Sequence, residues 1–371
     1  MACILSFPEE QKKGVLSVTS PEYSRLISRE DSIRDAIIKL KKRYVIGLHL
    51  NWHLKKYLHD PIIDFIFSTP EDLGTNSSTY SDLCIGLDAC DFPPPYFTAS
   101  IPPKERPWDM LWFGRPVHFK RPHLFLDLVK ILISSNENLR ILMVAPIPAG
   151  GQHSTTDCYY NMYEDYINTF SEAQRQNFLL MAPKGFEVPY SMHTISWFFN
   201  NSKIFVHTSP SERRCRTMAY AVKSGCYCIG TADTLSILPA RYRMFPFVGS
   251  YNSMSELISS THDHLQYIKN SSSKLLVKSS KHLSQCIDTT SSILQLNQRL
   301  SLIVGDIFNP IANSANLDWR LGRHIKISHE KNNIDCDPLR FFQALLHDDV
   351  IRHFSSAKYD DPELALATYL Q

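Results

Sequence analysis

At 371 residues, 43% of them hydrophobic and 20% charged, the chain runs longer than one compact domain and holds apolar material for two cores. Lysine and arginine (39) nearly balance aspartate and glutamate (37), and the net charge of +2 argues against a nucleic-acid partner. Nine cysteines with no C-x2-C pair argue against structural zinc, and no window approaches the roughly 18 uninterrupted apolar residues of a membrane span.

The N-terminus, MACILSFPEEQKKG, sets its apolar run before its charges, the reverse of a secretory signal, so no leader is expected. Residues 1–90 hold the apolar runs GVLSV, YVIGLHL, IIDFIFS and LCIGL around a helical stretch at Ser32–Lys42, a pattern of α/β type. Residues 91–106 are proline-rich, sustain neither helix nor sheet, and read as a linker. Residues 107–270 alternate more regularly. The strands WDMLWF, LRILMVA, NFLLMA, KIFVHT, CYCIG and FPFVG are separated by helical stretches at PHLFLDLVKILI, Tyr159–Phe170, Met192–Asn200 and RTMAYAVKSG. Short apolar strands alternating with helices predict a parallel sheet covered on both faces, a Rossmann-like domain. Cys226 and Cys228 fall within one such strand as buried reduced thiols, which suits a cytoplasmic chain; peripheral membrane association stays open. Residues 271–371 begin with SSSKLLVKSS, read as a polar hinge, and continue as a mainly helical C-terminal extension.

Open α/β sheets bind ligands beyond the carboxyl ends of their strands, where helix N-termini present free N–H groups. Two strand ends here carry matching polar sets. After WDMLWF come Gly114, which would let the backbone turn off the strand, then Arg115 and Lys120, two cations suited to a diphosphate. After KIFVHT come Ser209, Pro210, Ser211 and Glu212, then Arg213, Arg214 and Arg216, opening a helix that ends at Gly225. A carboxylate at a helix start is favoured by the dipole and can accept bonds from sugar hydroxyls. Only one or two of the three arginines can face a ligand, and Arg216 is the best placed.

In this register residues 107–250 resemble the family-4 retaining glycosyltransferases of GT-B fold. That family has a strand ending in G-R, with a lysine five positions after the arginine, as at Arg115 and Lys120. It also has P-S-x-x-E at a later strand end, with a glycine thirteen positions after the glutamate. Ser209, Glu212 and Gly225 match, with Thr208 where the proline stands. The run LCIGLDACDFPPP resembles the family's lead into its interdomain linker.

The resemblance implies α/β architecture of GT-B type. It consists of two Rossmann-like domains, the N-terminal acceptor-side one abbreviated, with a helical C-terminal tail. It implies transfer of a sugar from a nucleotide-sugar donor to a glycan, lipid or other hydroxyl acceptor. Anomeric configuration would be retained, and neither a bound metal nor a cofactor is called for. Gly114, Arg115, Lys120, Ser209 and Arg216 would bind the donor, and Glu212 would orient its sugar.

Tyr220 occupies the position of the family's ribose-binding glutamate, where it either meets the nucleotide or packs. That departure, with the short N-terminal block, leaves two alternatives. One is a non-catalytic relative that binds a glycan or protein; the other is a different GT-B enzyme, such as a sugar epimerase or phosphorylase. Gly185 and Phe186 stand where the family makes nucleobase contacts. His49 and His53 are spaced i,i+4, and most such histidines are structural. Asp335-Cys336-Asp337 spells a D-x-D, but before Pro338 it reads better as a turn and helix cap.

Overall fold

The computed structural model describes residues 3–50, 60–68, 81–135, 138–146, 153–182, 190–212, 215–312, 317–321, 336–356 and 359–370. The chain forms two compact units, residues 95–288 and residues 1–94 together with 289–371. No described helix is long and apolar enough to cross a membrane.

Residues 95–288 are built on a six-stranded, wholly parallel sheet. Its strands are β5 (Trp108–Phe113), β6 (Ile141–Val144), β7 (Phe178–Met181), β8 (Ser202–Val206), β9 (Tyr227–Gly230) and β10 (Val248–Ser250). Their spatial order is β10-β9-β8-β5-β6-β7. The chain therefore starts in the middle at β5, builds outward through β6 and β7, then returns to the other side of β5 with β8. The register pairs Met110 with both Ile141 of β6 and Ile204 of β8. β6 and β9 are buried throughout, as expected of strands with a helical layer on each face. The order reverses between β5 and β8. Such a reversal opens a crevice at the carboxyl ends of the two strands.

Three features of this unit depart from the sequence reading. SSSKLLVKSS is no hinge: Ser273–Ser284 is a helix, capped by the Ser272 side chain, with Leu276 and Leu283 buried. The expected boundary at 270 therefore falls later. The proline-rich stretch is in part fixed to this unit through Arg106, which is 2% exposed. The Arg106 guanidinium donates to the carbonyls of Ile101 (3.1 Å), Ser202 (2.8 Å) and Ser224 (2.7 Å).

The other unit has a four-stranded sheet of β1 (Cys3–Ser6), β2 (Gly14–Thr19), β3 (Tyr44–His49) and β4 (Phe65–Phe67). β2, β3 and β4 run parallel and β1 antiparallel. LCIGL, expected as a strand, contributes an isolated bridge from Cys84 to Ile66. One face of the sheet packs Leu16, Ile46 and Leu48 on Ile33 and Ile37 of the helix Asp31–Leu40 and on Phe341, Phe342, Leu345 and Leu366. The opposite face packs Val15, Val45 and Phe65 on Leu296, Leu300, Phe308 and Leu317. Residues 289–371 are therefore part of this unit's core rather than an extension. A buried ion pair joins the two ends of the chain. Arg320 meets Glu363 at 2.7 and 2.9 Å, and Glu363 accepts the Ile4 N–H at 2.6 Å.

Candidate functional site

The carboxyl ends of β5 and β8 lie side by side, and the loops that leave them are bonded together. Trp112 of β5 donates its indole N–H to Thr208 Oγ1 (2.8 Å), and the Thr208 hydroxyl donates to the carbonyl of Lys120 (2.5 Å). Thr208, which stands where the family motif has proline, is the bridge that sets the two loops in register. A proline there has no hydroxyl to do this.

On this frame the Lys120 ammonium meets Glu212 Oε2. The same oxygen takes His207 Nε2 at 2.9 Å and the Ser209 hydroxyl at 3.2 Å. Three donors thus converge on Oε2, while Oε1 takes part in none of these contacts. The Glu212 side chain is 26% exposed and the His207 side chain 3%. His207 continues the sheet: its N–H donates to Ile229 (2.8 Å), and its carbonyl accepts the Tyr251 hydroxyl (3.1 Å). Cys215 Sγ lies 3.3 Å from the same ring nitrogen, Nε2. Cys215 stands immediately before the helix Arg216–Lys223 and is buried.

Burial opposes ionisation of both Glu212 and His207, and contact between them overcomes it. Burial raises the Glu212 carboxyl, but the His207 hydrogen bond and the Lys120 charge outweigh it and hold it at about 2. Burial lowers the His207 ring, but Cys215 and Glu212 outweigh that and lift it to about 9. Burial likewise raises the Cys215 thiol, and the His207 charge brings it below its ordinary value. His207 Nε2, a Glu212 oxygen and Cys215 Sγ lie within 4.8 Å of one another, a donor set that zinc takes. Here the Lys120 ammonium already occupies the carboxylate. Among the described residues His207 Nδ1 also has no hydrogen-bond partner of the kind a metal-bound imidazole uses to fix its ring. The cluster is an ion-pair network.

No protein-family model matches the sequence, and no curated protein sequence matches it. Solved structures do. A glycosyltransferase from Rickettsia africae superposes with a TM-score of 0.50 at 13% identity, over 74% of this chain and 80% of its own. A UDP-forming α,α-trehalose-phosphate synthase from Burkholderia xenovorans superposes with a TM-score of 0.51 at 9% identity, over 74% and 72%. The fold is GT-B.

Within this GT-B chain the predicted residues separate into those the site gathers and those it does not. Lys120 and Ser209 both meet Glu212. Arg115 is exposed on the same loop as Lys120 and makes no ion pair with a described residue. Arg216 opens its helix half-buried. Gly114 does not turn in a glycine-only conformation, and an added Cβ would sit 3.4 Å from Trp112, an ordinary contact. The expectation that glycine is needed for the turn is therefore corrected. Tyr220 is 5% exposed and stacked on Phe97 at 4.3 Å and 9°, with Phe199 edge-on at 6.0 Å. It packs in the core of this unit. Gly225 matches the family register for a packing reason. Its φ is +67°, and a Cβ there would lie 2.1 Å from Ser280 Oγ.

Arg213, Arg214, Gly185, Phe186, His53 and Asp335 lie outside the described residues. His49 is buried in the other unit against Asp88 (2.8 Å), and Asp337 caps the helix Pro338–Ala344. Sequence reasoning missed His207 and Cys215. The available signal was their spacing about Glu212, five residues before it and three after, on either side of a strand-to-helix loop.

Proposed function

We propose that residues 95–288 bind a nucleotide-sugar at the β5–β8 reversal and that the protein transfers the sugar to a hydroxyl acceptor on a glycan, lipid or other molecule. The supporting observation is the convergence of Lys120 and Glu212, from different strands, at the point where the sheet order reverses. Arg115 and Lys120 neutralise the nucleoside diphosphate as it departs, helped by the helix N-terminus at Arg216. The remaining oxygen of Glu212, Oε1, accepts a hydroxyl of the donor sugar. Transfer proceeds with retention and without a bound metal, because charge on the leaving group is met by side chains. UDP is the first nucleotide to try, since the Burkholderia synthase on which the chain superposes is UDP-forming.

Buried Tyr220, in place of a ribose-binding carboxylate, favours a second reading in which the pocket binds without catalysing. Calorimetry with UDP, GDP and their glucose conjugates, followed by a transfer assay, separates the two. A charge-assisted phosphate contact is worth about 1.5–3 kcal/mol, so Arg115→Ala and Lys120→Ala should each weaken nucleoside diphosphate binding roughly ten- to a hundredfold. Binding and turnover should survive EDTA. Equal affinity in wild type and both variants, or a loss restored by Mn²⁺, would remove this assignment.

A further inference from the structure

We propose that His207 is a positioning residue of this site: with Ser209 it holds Glu212 from beneath, so that Lys120 is free to exchange the carboxylate for the donor's diphosphate. The inference rests on the reading of the pocket as a nucleotide-sugar site.

The difficulty it resolves is visible in the contacts. The only ammonium at the β5–β8 reversal among the described residues, Lys120, is already engaged by Glu212. A diphosphate entering beside them competes for Lys120 and at the same time repels the carboxylate. If Lys120 were the sole counter-charge, releasing it would strand Glu212 as an unpaired anion next to the phosphates. The protein would then keep Lys120 on Glu212 and bind nucleotide poorly. His207 and Ser209 remove the conflict, because both reach Oε2 from the protein side.

The His207 backbone is tied on both sides, to Ile229 and Tyr251, so Nε2 stays in place when Lys120 turns. Nε2 faces a carboxylate oxygen at hydrogen-bond distance, so it carries the hydrogen. The groups around the ring are Lys120, Glu212 and Cys215, with the Phe205 ring at 6.0 Å as its apolar neighbour. Burial works against a cationic ring, and Cys215 and Glu212 outweigh it, which favours the charged form. A buried histidine that merely fills space would leave the affinity of Lys120 for phosphate untouched.

The test uses whichever of UDP and GDP binds wild type more tightly, measured by calorimetry at pH 7.5. His207→Gln keeps an N–H donor but loses the charge, and is expected to weaken binding about tenfold, one charged contact's worth. Lys120→Ala is expected to lose at least as much. Glu212→Gln releases Lys120 in advance, so it should bind the bare nucleotide more tightly than wild type. His207→Gln/Glu212→Gln should match Glu212→Gln, because no carboxylate is left to hold Lys120. Imidazole ¹⁵N spectra of ligand-free wild type should show His207 charged at pH 7.5.

A neutral ring, a His207→Gln variant that binds as wild type does, or a loss that Glu212→Gln fails to rescue would overturn the proposal. The donor-site reading survives such a result if Lys120→Ala still weakens binding. If wild type binds neither nucleotide, or Lys120→Ala binds equally well, the reading falls and this inference with it. Should His207→Gln fail to fold by circular dichroism, the ring's charge state and the tightened binding of Glu212→Gln decide the matter, both being required.

Discussion

Glu212 and His207 stabilise each other's charge, with Cys215 the larger contributor to the His207 rise, so the cluster links folding to pH at both ends of the scale. Glu212 falls from an ordinary 4.5 to about 2, so its contribution is present above 4.5 and lost as pH falls toward 2. His207 rises from an ordinary 6.5 to about 9, so its contribution is complete below 6.5 and lost as pH climbs through 9. The two windows overlap between pH 4.5 and 6.5, where the pair stabilises most. Thermal unfolding of wild type and His207→Gln should therefore differ most in that interval and converge by about pH 10. A difference that is constant from pH 5 to 9 would mean the ring stays neutral. Lys120, Ser209 and Glu212 were legible in the sequence because a fixed register with strand ends marks them. His207 was not. A histidine closing an apolar strand reads as core until the fold brings its Nε2 to a carboxylate five residues ahead.

At the scale of the element, the helix Arg216–Lys223 is specified at both ends. It begins at Cys215, against His207, and stops at Gly225, where the backbone is left-handed. An alanine at 225 would suffer the positive φ and also press its Cβ on Ser280 Oγ, on the Ser280 carbonyl at 2.9 Å and on Ala99 Cβ at 2.8 Å. Backbone strain and overpacking together place Gly225→Ala at about 2–4 kcal/mol of lost stability. Urea unfolding should show a lower midpoint with unchanged slope, and nucleotide affinity of the folded protein should be preserved. A stable variant with impaired binding would instead place Gly225 in the ligand site. The same contact explains why SSSKLLVKSS misleads. Its serines suggest an exposed hinge, yet Ser279 and Ser280 lie on the buried face with Leu276 and Leu283, at helical spacing. Ser280 is small because the turn at Gly225 packs directly on it. Serine composition signals a loop and close approach equally well, and only the partner distinguishes them. By contrast, the strands of residues 107–250 were legible, since apolar runs separated by helical stretches have few other solutions.

At the scale of the whole chain, the least legible feature is that one unit is assembled from two distant segments. A physical clue was present. β2 and β3 are buried along their whole length, so both faces of that sheet must be covered, yet residues 1–90 offer one clearly amphipathic helix. The missing layers come from residues 289–371, which place Phe341, Phe342 and Leu366 on one face and Leu296, Leu300 and Phe308 on the other. Arg320 and Glu363, both fully buried, then fix β1 through the Ile4 backbone. A chain ending at residue 288 loses all of these partners: one face of the four-stranded sheet is stripped and the other keeps only the helix Asp31–Leu40, so that unit should not fold. Residues 95–288 keep their own core, the Arg106 anchor and every contact of the Lys120–Glu212–His207 network. They should fold alone and bind the nucleoside diphosphate with the affinity of those side chains. Limited proteolysis of the 1–288 chain should therefore trim it to a resistant fragment beginning near residue 95. The 95–288 fragment should show a cooperative thermal transition and lose nucleotide binding on Lys120→Ala. A 1–288 chain as protease-resistant as the full protein would contradict the two-segment architecture. A folded 95–288 fragment without nucleotide affinity would mean that the β5–β8 reversal alone does not make the site.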